Sequence, residues 1–237
     1  MNTLDDDFDT DLMAELMALD EDNELVELPD IPEGTSFPLT DIQRAYFMGR
    51  SSQLTLGGAA CQFYYERVCD ELDVPRFVKA VQDTAHRHPM MRVEILSSES
   101  QVIRPLTEAL SAPEHDLKSA SEEVAQEHLS DTRQRLSRDL PELDKWPLFD
   151  LEFTHMPSGE THIHFRFDLI NTDQQSILLV LKDIAALYED PDTHIAAPEL
   201  TFPQYLAMSA PSSEKLEASK NHWRSRAKDL PPAPVLP

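Results

Sequence analysis

The sequence predicts an α+β sandwich, in which one layer of helices packs on a largely antiparallel β-sheet. Segments with the 3.6-residue periodicity of helices are interleaved with segments that alternate like strands. Two strands, over residues 148–155 and 161–168, are joined by Pro157-Ser158-Gly159, which is typical of a β-hairpin. With 237 residues, of which 41% are hydrophobic, the chain is long enough to bury the core of such a fold.

The charge of the chain argues against several classes of partner. The chain has 44 acidic and 20 basic residues, a formal net charge of -24. Such a surface repels phosphate backbones and anionic lipids, so we expect neither nucleic acid nor membrane as a partner. The N-terminus is acidic where a secretory signal is basic, and no segment is apolar enough to span a membrane. We therefore expect a cytoplasmic location. The five glycines form no phosphate-binding pattern.

Residues 1–36 are predicted to form an acidic leader. Residues 1–30 contain twelve acidic residues and no lysine or arginine. Leucine and methionine recur at helical spacing over residues 11–19, which indicates a short amphipathic helix. A proline-containing linker follows at residues 28–36. The leader is either a solvated tail or a segment that docks onto another protein.

The folded part is predicted to begin at Phe37 with a short helix. Thr40 and Gln43 have the spacing of a capping box, which predicts the start of this helix. The helix ends near Gly49. Its buried stripe is predicted to consist of Ile42, Ala45 and Tyr46.

The middle of the chain continues the alternation of strands and helices. A strand is predicted over residues 61–68, and Asp73 with Pro75 opens a helix that stops at His88, because the residue before a proline avoids the helical conformation. Further elements are predicted from periodicity: a strand through Met91, Val93 and Ile95, a charged helix over residues 121–140, a helix with Ile177, Leu181, Ile184 and Tyr188 on one face, and a last helix over residues 215–228.

The strand over residues 161–168 has one polar face, formed by His162, His164, Arg166 and Asp168. The two histidines lie about 7 Å apart, a spacing that could chelate a metal. No third ligand is evident nearby, so we interpret this face as solvated or channel-facing and predict no metal site. Cys61 and Cys69 lie too far apart in one strand to form a disulfide and are interpreted as small buried residues.

Four segments resemble motifs of a known family. They are residues 37–50 (FPLTDIQRAYFMGR), 86–92 (HRHPMMR), 146–150 (WPLFD) and 167–173 (FDLINTD). In this order and spacing they resemble heterocyclization domains, the branch of nonribosomal peptide synthetase condensation domains that makes thiazoline and oxazoline rings. The resemblance runs from Phe37 to Pro237. It implies a chloramphenicol-acetyltransferase-like lobe, the N-terminal half of such a domain, which ends at the crossover between the two lobes.

One replacement selects this branch of the family. Amide-forming condensation domains carry the motif H-H-x-x-x-D-G, in which the second histidine lies over the reacting groups. Here Asp168 corresponds to the first histidine and Leu169 to the second. Leucine cannot accept a proton, so imidazole-assisted chemistry of that kind is not expected. The remaining pattern is D-x-x-x-x-D, formed by Asp168 and Asp173.

The resemblance implies condensation of carrier-bound thioesters and cyclodehydration of a Cys, Ser or Thr side chain, as in siderophore or other natural product biosynthesis. The substrates would arrive on the phosphopantetheine arms of carrier proteins, and no cofactor or metal bound by this lobe is implied. Expected partners are peptidyl or acyl carrier proteins, a second-lobe chain or downstream synthetase domains, and an upstream synthetase subunit that binds residues 1–36.

The candidate site residues are the catalytic candidates Asp168 and Asp173, together with the channel or motif residues Gln43, Tyr46, Arg50 and Ser176. The aspartates are either acids and bases or architectural residues. We expect Thr172 and Gln175 to form a capping box and Asp173 to brace the corner by capping the helix or by pairing with a buried arginine. Asp168, on the polar strand face, is expected to contribute less to stability. Tyr46 and Arg50 are expected to be packing and ion-pair residues.

We expect no catalysis by this chain alone, because the polar residues usually assigned to cyclodehydration belong to the second lobe of the family. Two alternatives therefore remain open. The chain could be a non-catalytic docking or interaction module of a synthetase assembly line. It could also be an ordinary binding domain whose aspartates only brace the fold.

Overall fold

The computed structural model describes residues 28–55 and 57–231. The strands are β1 (Ser36–Pro38), β2 (Gln62–Cys69), β3 (Val93–Ile95), β4 (Ser100–Ile103), β5 (Glu114–Asp116), β6 (Phe149–His155) and β7 (Thr161–Asp168). The α-helices are α1 (Asp41–Gly49), α2 (Val74–Arg87), α3 (Glu122–Leu136), α4 (Gln174–Glu189), α5 (Phe202–Ser209) and α6 (Ser213–Arg226). Residues 31–203 form one compact unit, and residues 28–30 and 204–231 belong to another. The leader helix predicted at residues 11–19 lies outside the described residues.

A four-stranded sheet in the order β2-β7-β6-β5 forms the centre of the larger unit. The pairs β2–β7 and β6–β7 are antiparallel, and β5–β6 is parallel. The predicted hairpin joins β6 to β7, and Gly159 in its turn has a φ of +95°, a conformation that side chains other than glycine rarely adopt. The predicted α+β fold with a largely antiparallel sheet is confirmed.

The apolar face of this sheet packs against α2 and α4. Phe165 of β7 lies in one buried cluster with Val81 of α2 and Ile184 of α4. Asp73 caps α2, and His88 ends it, as the sequence predicts. Burying these side chains provides most of the driving force for folding, at about 25 cal/mol per Å² of apolar surface.

The polar face of β7 is also buried, which corrects the prediction of a solvated or channel-facing surface. Every residue of β7 is buried. Arg133 and Arg135 of α3 form ion pairs with Glu66 and Glu152 on this face. Because α3 supplies a partner for these carboxylates, polar side chains can be buried here without losing their hydrogen bonds.

A smaller antiparallel sheet has the order β1-β4-β3. Its strands have three or four residues each, too few for a clear alternation in the sequence, and β1 and β4 were not predicted. Met91, predicted to begin a strand, lies in a 3-10 turn over Pro89–Arg92. The unit extends further towards the N-terminus than Phe37, since Glu33 pairs with the buried Arg92 and the Gly34 N–H donates to the Ile103 carbonyl.

Helix α1 differs from its prediction in the face that it buries. Thr40 and Gln43 form the predicted capping box. Ile42, however, is 67% exposed, whereas Gln43 is 6% exposed. The predicted apolar stripe is therefore wrong, because the buried position is occupied by a side-chain amide whose hydrogen bonds are all made inside the protein.

Cys61 is exposed, which corrects its interpretation as a buried residue, whereas Cys69 is half-buried and packs against the core. Cys61 directly precedes β2, the edge strand of the sheet, so its side chain is not enclosed by neighbouring strands. In the part of the chain that the structure describes, no helix is long and apolar enough to cross a membrane.

Candidate functional site

The D-x-x-x-x-D motif forms the corner between β7 and α4. Asp168 is the last residue of β7, and Asp173 is the N-cap of α4. Between them, the Leu169 N–H donates to the Cys61 carbonyl at 2.9 Å, and Leu169 packs partly against the core. Strand pairing and a helix cap therefore fix the two ends of this turn.

Asp168 is buried and engages both of its carboxylate oxygens. Its Oδ2 accepts a hydrogen bond from Arg50 Nη1 at 2.5 Å, and its Oδ1 accepts one from the Ile170 N–H at 3.0 Å. The carboxylate is 3% exposed. A buried carboxylate is tolerated in this position because its charge is paired and its lone pairs are occupied.

Arg50 connects the motif to a second segment. Its Nη2 donates to the Pro141 carbonyl at 2.5 Å, in the loop that follows α3. Arg166, two residues before Asp168, donates to the Asp139 carbonyl in the same loop at 2.8 Å and pairs with Asp150. The two guanidinium groups thus hold this loop at the polar face of the sheet. The expectation that Arg50 forms an ion pair agrees with this geometry.

Asp173 is exposed and caps α4. Its Oδ1 accepts a hydrogen bond from the Ser176 backbone N–H at 2.8 Å, which lowers the pKa of Asp173. The capping box expected from Thr172 and Gln175 is therefore wrong, since the helix begins one residue later. Asp173 has the extended backbone of an N-cap, with φ -125° and ψ 177°.

The structure confirms one of the two expectations for Asp173, which caps the helix and does not pair with a buried arginine. The buried ion pair with an arginine is formed by Asp168 instead, so the expectation that Asp168 contributes less to stability does not agree with this geometry. Asp168 shares the polar strand face as predicted, but that face is enclosed.

Gln43 and Tyr46 both lie close to the motif, through different contacts. Gln43 Nε2 donates to the Ile170 carbonyl at 2.9 Å. Tyr46 lies beside Cys61, which raises the pKa of the Tyr46 phenol because a second negative charge would be unfavourable there. Gln43 and Arg50 therefore bind residues of the motif directly. Tyr46 lies next to Cys61, whose carbonyl accepts the hydrogen bond from Leu169. Ser176 contacts Asp173 through its backbone, and a role for its side chain stays a prediction.

Gln101 is a site residue that the sequence analysis missed. It is fully buried, and its amide bonds to that of Gln43. A glutamine in a four-residue strand, between Ser100 and Val102, is a weak signal, and nothing local relates it to Gln43, 58 positions away.

The two histidines of β7 use their ring nitrogens in hydrogen bonds rather than converging on a vacant site. His162 Nδ1 lies 2.7 Å from Glu66 Oε1, and His164 lies 2.7 Å from the Tyr64 hydroxyl and 3.2 Å from Thr154 Oγ1. Burial lowers the pKa of His164 to about 4, so its ring is neutral at neutral pH. Across residues 28–55 and 57–231, no group of three or more His, Cys, Asp or Glu residues could hold a metal.

A cavity of about 470 Å³ lies elsewhere, between residues 92–108 and residues 144–146. Its walls carry Arg104 and Lys145 as well as Glu94, Glu108 and Asp144. The cavity wall contains none of the predicted site residues, and its mixed charges indicate no particular ligand.

Comparison with known proteins agrees with this fold. The family model described as condensation domain matches residues 34–237. Phenyloxazoline synthase MbtB of Mycolicibacterium paratuberculosis is 32% identical over 213 residues, which cover 86% of this chain and 18% of that protein. Pyochelin synthetase PchE of Pseudomonas aeruginosa is 28% identical over 203 residues, which cover 85% of this chain and 14% of that protein.

A solved structure extends the similarity to three dimensions. The EpoB nonribosomal peptide synthetase cyclization-docking bidomain from Sorangium cellulosum has a TM-score of 0.80 and 28% identity. The match covers 96% of this chain and 46% of that chain. The chain thus spans less than a fifth of the length of the curated relatives above and just under half of this structure. Its fold is that of a chloramphenicol-acetyltransferase-like N-terminal lobe. Since the family model matches residues 34–237, the chain belongs to the condensation domain family.

Proposed function

We propose that this chain acts in a heterocyclization domain, in which carrier-bound thioesters are condensed and a Cys, Ser or Thr side chain is cyclodehydrated to a thiazoline or oxazoline. The observation that carries the proposal is the corner between β7 and α4. It places Asp168 and Asp173 at the strand end and the helix start, with Leu169 between core and surface where amide-forming relatives have a histidine. The names of the relatives, a phenyloxazoline synthase and a cyclization bidomain, support this assignment.

The surroundings of the two carboxylates suggest different roles in this reaction. Asp168 is enclosed and bound to Arg50, so it holds the corner and does not reach the substrate. Asp173 is exposed, and its lowered pKa keeps it ionised at neutral pH. An ionised carboxylate can accept a hydrogen bond or a proton but cannot donate one. Asp173 is therefore the better candidate for a hydrogen-bond acceptor toward the substrate.

The substrates would be presented on the phosphopantetheine arms of carrier proteins, and a second lobe would complete the channel. Every residue of helix α6 is exposed, which supports the proposal that this helix packs against a further partner. Leu216 and Trp223 are seven residues apart and so lie on one face of this helix. An exposed apolar stripe of this kind is typical of an interaction surface. We propose that the second lobe covers it.

Mass spectrometry of loaded carrier proteins tests the function. The chain is mixed with a second-lobe chain and two carriers, one with an acyl group and one with Cys, Ser or Thr. We expect an amide product and then a product lighter by one water. The chain alone should form neither, since the proposed second lobe would supply the other wall of the channel. Ring formation by the chain alone would contradict the need for a second lobe. An amide product without loss of water would contradict cyclodehydration.

Residues 1–36 are proposed to dock onto an upstream synthetase subunit, as an alternative or additional role. The similar protein from Sorangium cellulosum is a cyclization-docking bidomain, and the similarity covers 96% of this chain. The acidic leader should bind a basic segment, and the binding should weaken as salt rises, since charges are screened over about 8 Å at physiological ionic strength.

A deletion separates this docking role from folding. It should end at residue 30, because Glu33, Gly34 and Ser36 belong to the folded unit. We expect the shortened chain to lose the partner and to keep its melting temperature. Unchanged affinity of the shortened chain would contradict docking. Retained docking together with no product in the two-lobe assay would favour a non-catalytic interaction module.

A further inference from the structure

Two buried glutamines from distant parts of the sequence form a reciprocal pair beside the motif. Gln43 lies in α1 and Gln101 in β4. The Nε2 of each side chain donates to the Oε1 of the other, in both cases at 2.9 Å. Gln101 is completely buried. Two such amides bind each other in one relative orientation, because donor and acceptor of both are used at once.

The remaining polar atoms of the pair bind backbone groups on three sides. Gln43 Nε2 also donates to the Ile170 carbonyl at 2.9 Å, and Gln101 Nε2 also donates to the Pro38 carbonyl at 3.1 Å. Gln43 Oε1 accepts a hydrogen bond from the Thr40 N–H at 3.0 Å. Each amide N–H is thus occupied. A fully satisfied buried network of this kind is rigid and determines one arrangement of the core.

Ile170 is the point at which this network meets the motif. Its carbonyl accepts from Gln43, and its N–H donates to Asp168 Oδ1. Asp168 in turn binds Arg50. Hydrogen bonds therefore connect β1 and β4 of the small sheet to the turn that carries both aspartates.

We propose that the Gln43–Gln101 pair positions the turn over residues 168–173, and that Gln101 is a positioning residue that acts through Gln43. The glutamine side chain has three rotatable bonds, and Gln101 selects the one orientation in which Gln43 reaches Ile170. An apolar pair would fill the same space without the cost of burying amides, so packing alone does not account for two glutamines here. The relevance of the turn to catalysis rests on the proposed function, whereas the mechanical link does not.

Amide hydrogen exchange of the full chain tests the mechanical link. In Gln101→Met, which keeps the length of the side chain but removes its polar atoms, we expect the Ile170 N–H to exchange about tenfold faster than in the wild type. Gln126→Met, on the exposed surface of α3, is the matched control and should leave this exchange unchanged. Unchanged protection of Ile170 in a folded Gln101→Met protein would overturn the proposal.

A double variant separates positioning from stability. Gln43→Met combined with Gln101→Met leaves no unpaired amide, so its melting temperature should lie above that of Gln101→Met. In the double variant the Ile170 carbonyl has lost the hydrogen bond from Gln43. The Ile170 N–H should therefore exchange faster than in the wild type, as in Gln101→Met. If exchange returned to the wild-type rate together with the melting temperature, the pair would act on stability alone. If Gln101→Met does not fold, exchange of the Ile170 N–H in the double variant decides whether the glutamine pair positions the turn.

The two-lobe assay adds a catalytic measurement. For Gln101→Met we expect kcat for the ring product to fall about tenfold with the KM for the loaded carrier unchanged, because the variant displaces the corner and not the carrier surface. A raised KM with an unchanged kcat would contradict positioning. If the wild-type enzyme forms no ring, the proposed function fails, and the exchange experiment still decides whether the pair holds the turn.

Discussion

Asp168 and Asp173 belong to one short motif, yet their surroundings are opposite. Asp168 is enclosed and paired with Arg50, 118 residues away in the sequence. Asp173 is exposed and binds a backbone N–H only three residues away. Identical residue types in one motif therefore serve long-range architecture in one position and local helix capping in the other.

The elements on which the aspartates lie explain this contrast. Strand β7 is a central strand whose residues are all buried, so its last residue is enclosed and pairs with Arg50, which in turn binds the loop after α3. The first turn of α4 faces solvent, and residues 173–176 are all exposed. The predictions that follow test this contrast, in order of decreasing magnitude.

Removing the buried carboxylate should have the greatest effect. Asp168→Ala leaves the Arg50 guanidinium without its charge partner in a buried position, which costs about 3–5 kcal/mol of unfolding free energy. Denaturant unfolding at neutral pH measures this loss. Asp168→Leu with Arg50→Met, which removes both charges, should cost less than Asp168→Ala alone. A loss below about 1 kcal/mol for Asp168→Ala, the size of a surface pair, would contradict the buried role of Asp168.

Acid should destabilise the polar face on which Asp168 lies. The folded-state pKa of His164 is lowered to about 4 from an ordinary value of 6.5, so the unfolded state binds its proton first as the pH falls. The stability from neutral His164 is full above pH 6.5 and is lost towards pH 4. Between pH 6.5 and 4.5 the loss should be roughly 2–3 kcal/mol.

The measurement for His164 is denaturant unfolding over that pH range, compared with His164→Gln. The variant should show a flatter pH dependence. His222→Gln, at an exposed position in α6, is the control and should keep the wild-type slope. The pKa of Glu66 is lowered to about 2, mainly by the hydrogen bond from Arg133. The stability that ionised Glu66 contributes is therefore lost only below about pH 4.5. An identical slope in His164→Gln would show that this ring is not protected from protonation.

Removing the exposed cap should cost less. Asp173→Ala deprives the Ser176 N–H of its acceptor, and the loss of an N-cap costs about 1 kcal/mol. Thermal unfolding measures this change. Asp173→Asn keeps a capping oxygen without the charge, so its stability should stay close to the wild type. If Asp173→Asn nevertheless abolishes ring closure in the two-lobe assay and spares amide formation, the Asp173 charge takes part in cyclodehydration.

The least change is expected for Ser176→Ala. Asp173 binds the backbone N–H of Ser176, which alanine retains, and the side chain is exposed. The unfolding free energy should change by less than about 0.5 kcal/mol. A loss of activity at unchanged stability would assign the Ser176 hydroxyl to the substrate site. A clear loss of stability would show that the cap depends on the hydroxyl as well.

The sequence predicted the local parts of the site well. The hairpin before Asp168, the Thr40–Gln43 capping box and the helix after Asp173 follow from contacts within a few residues, and the structure has all three. The partner of Asp168 and the role of Gln101 could not be predicted, since both depend on contacts between distant elements. The buried face of helix α1 was predicted wrongly for the same reason, because periodicity cannot show that a glutamine is enclosed by other elements.

The longer helices and strands, the alternation of β7 and the family of the chain follow from the sequence alone, whereas the short strands β1 and β4 do not. The tertiary structure, by contrast, determines which faces of the helices and strands are covered. Periodicity shows that His164 and Asp168 share a face, because side chains of a strand alternate. It does not show that α3 and the loop after it cover that face with arginines and backbone carbonyls. Burial depends on which elements meet in space, and that sets both the pKa of His164 and the ion pair of Asp168.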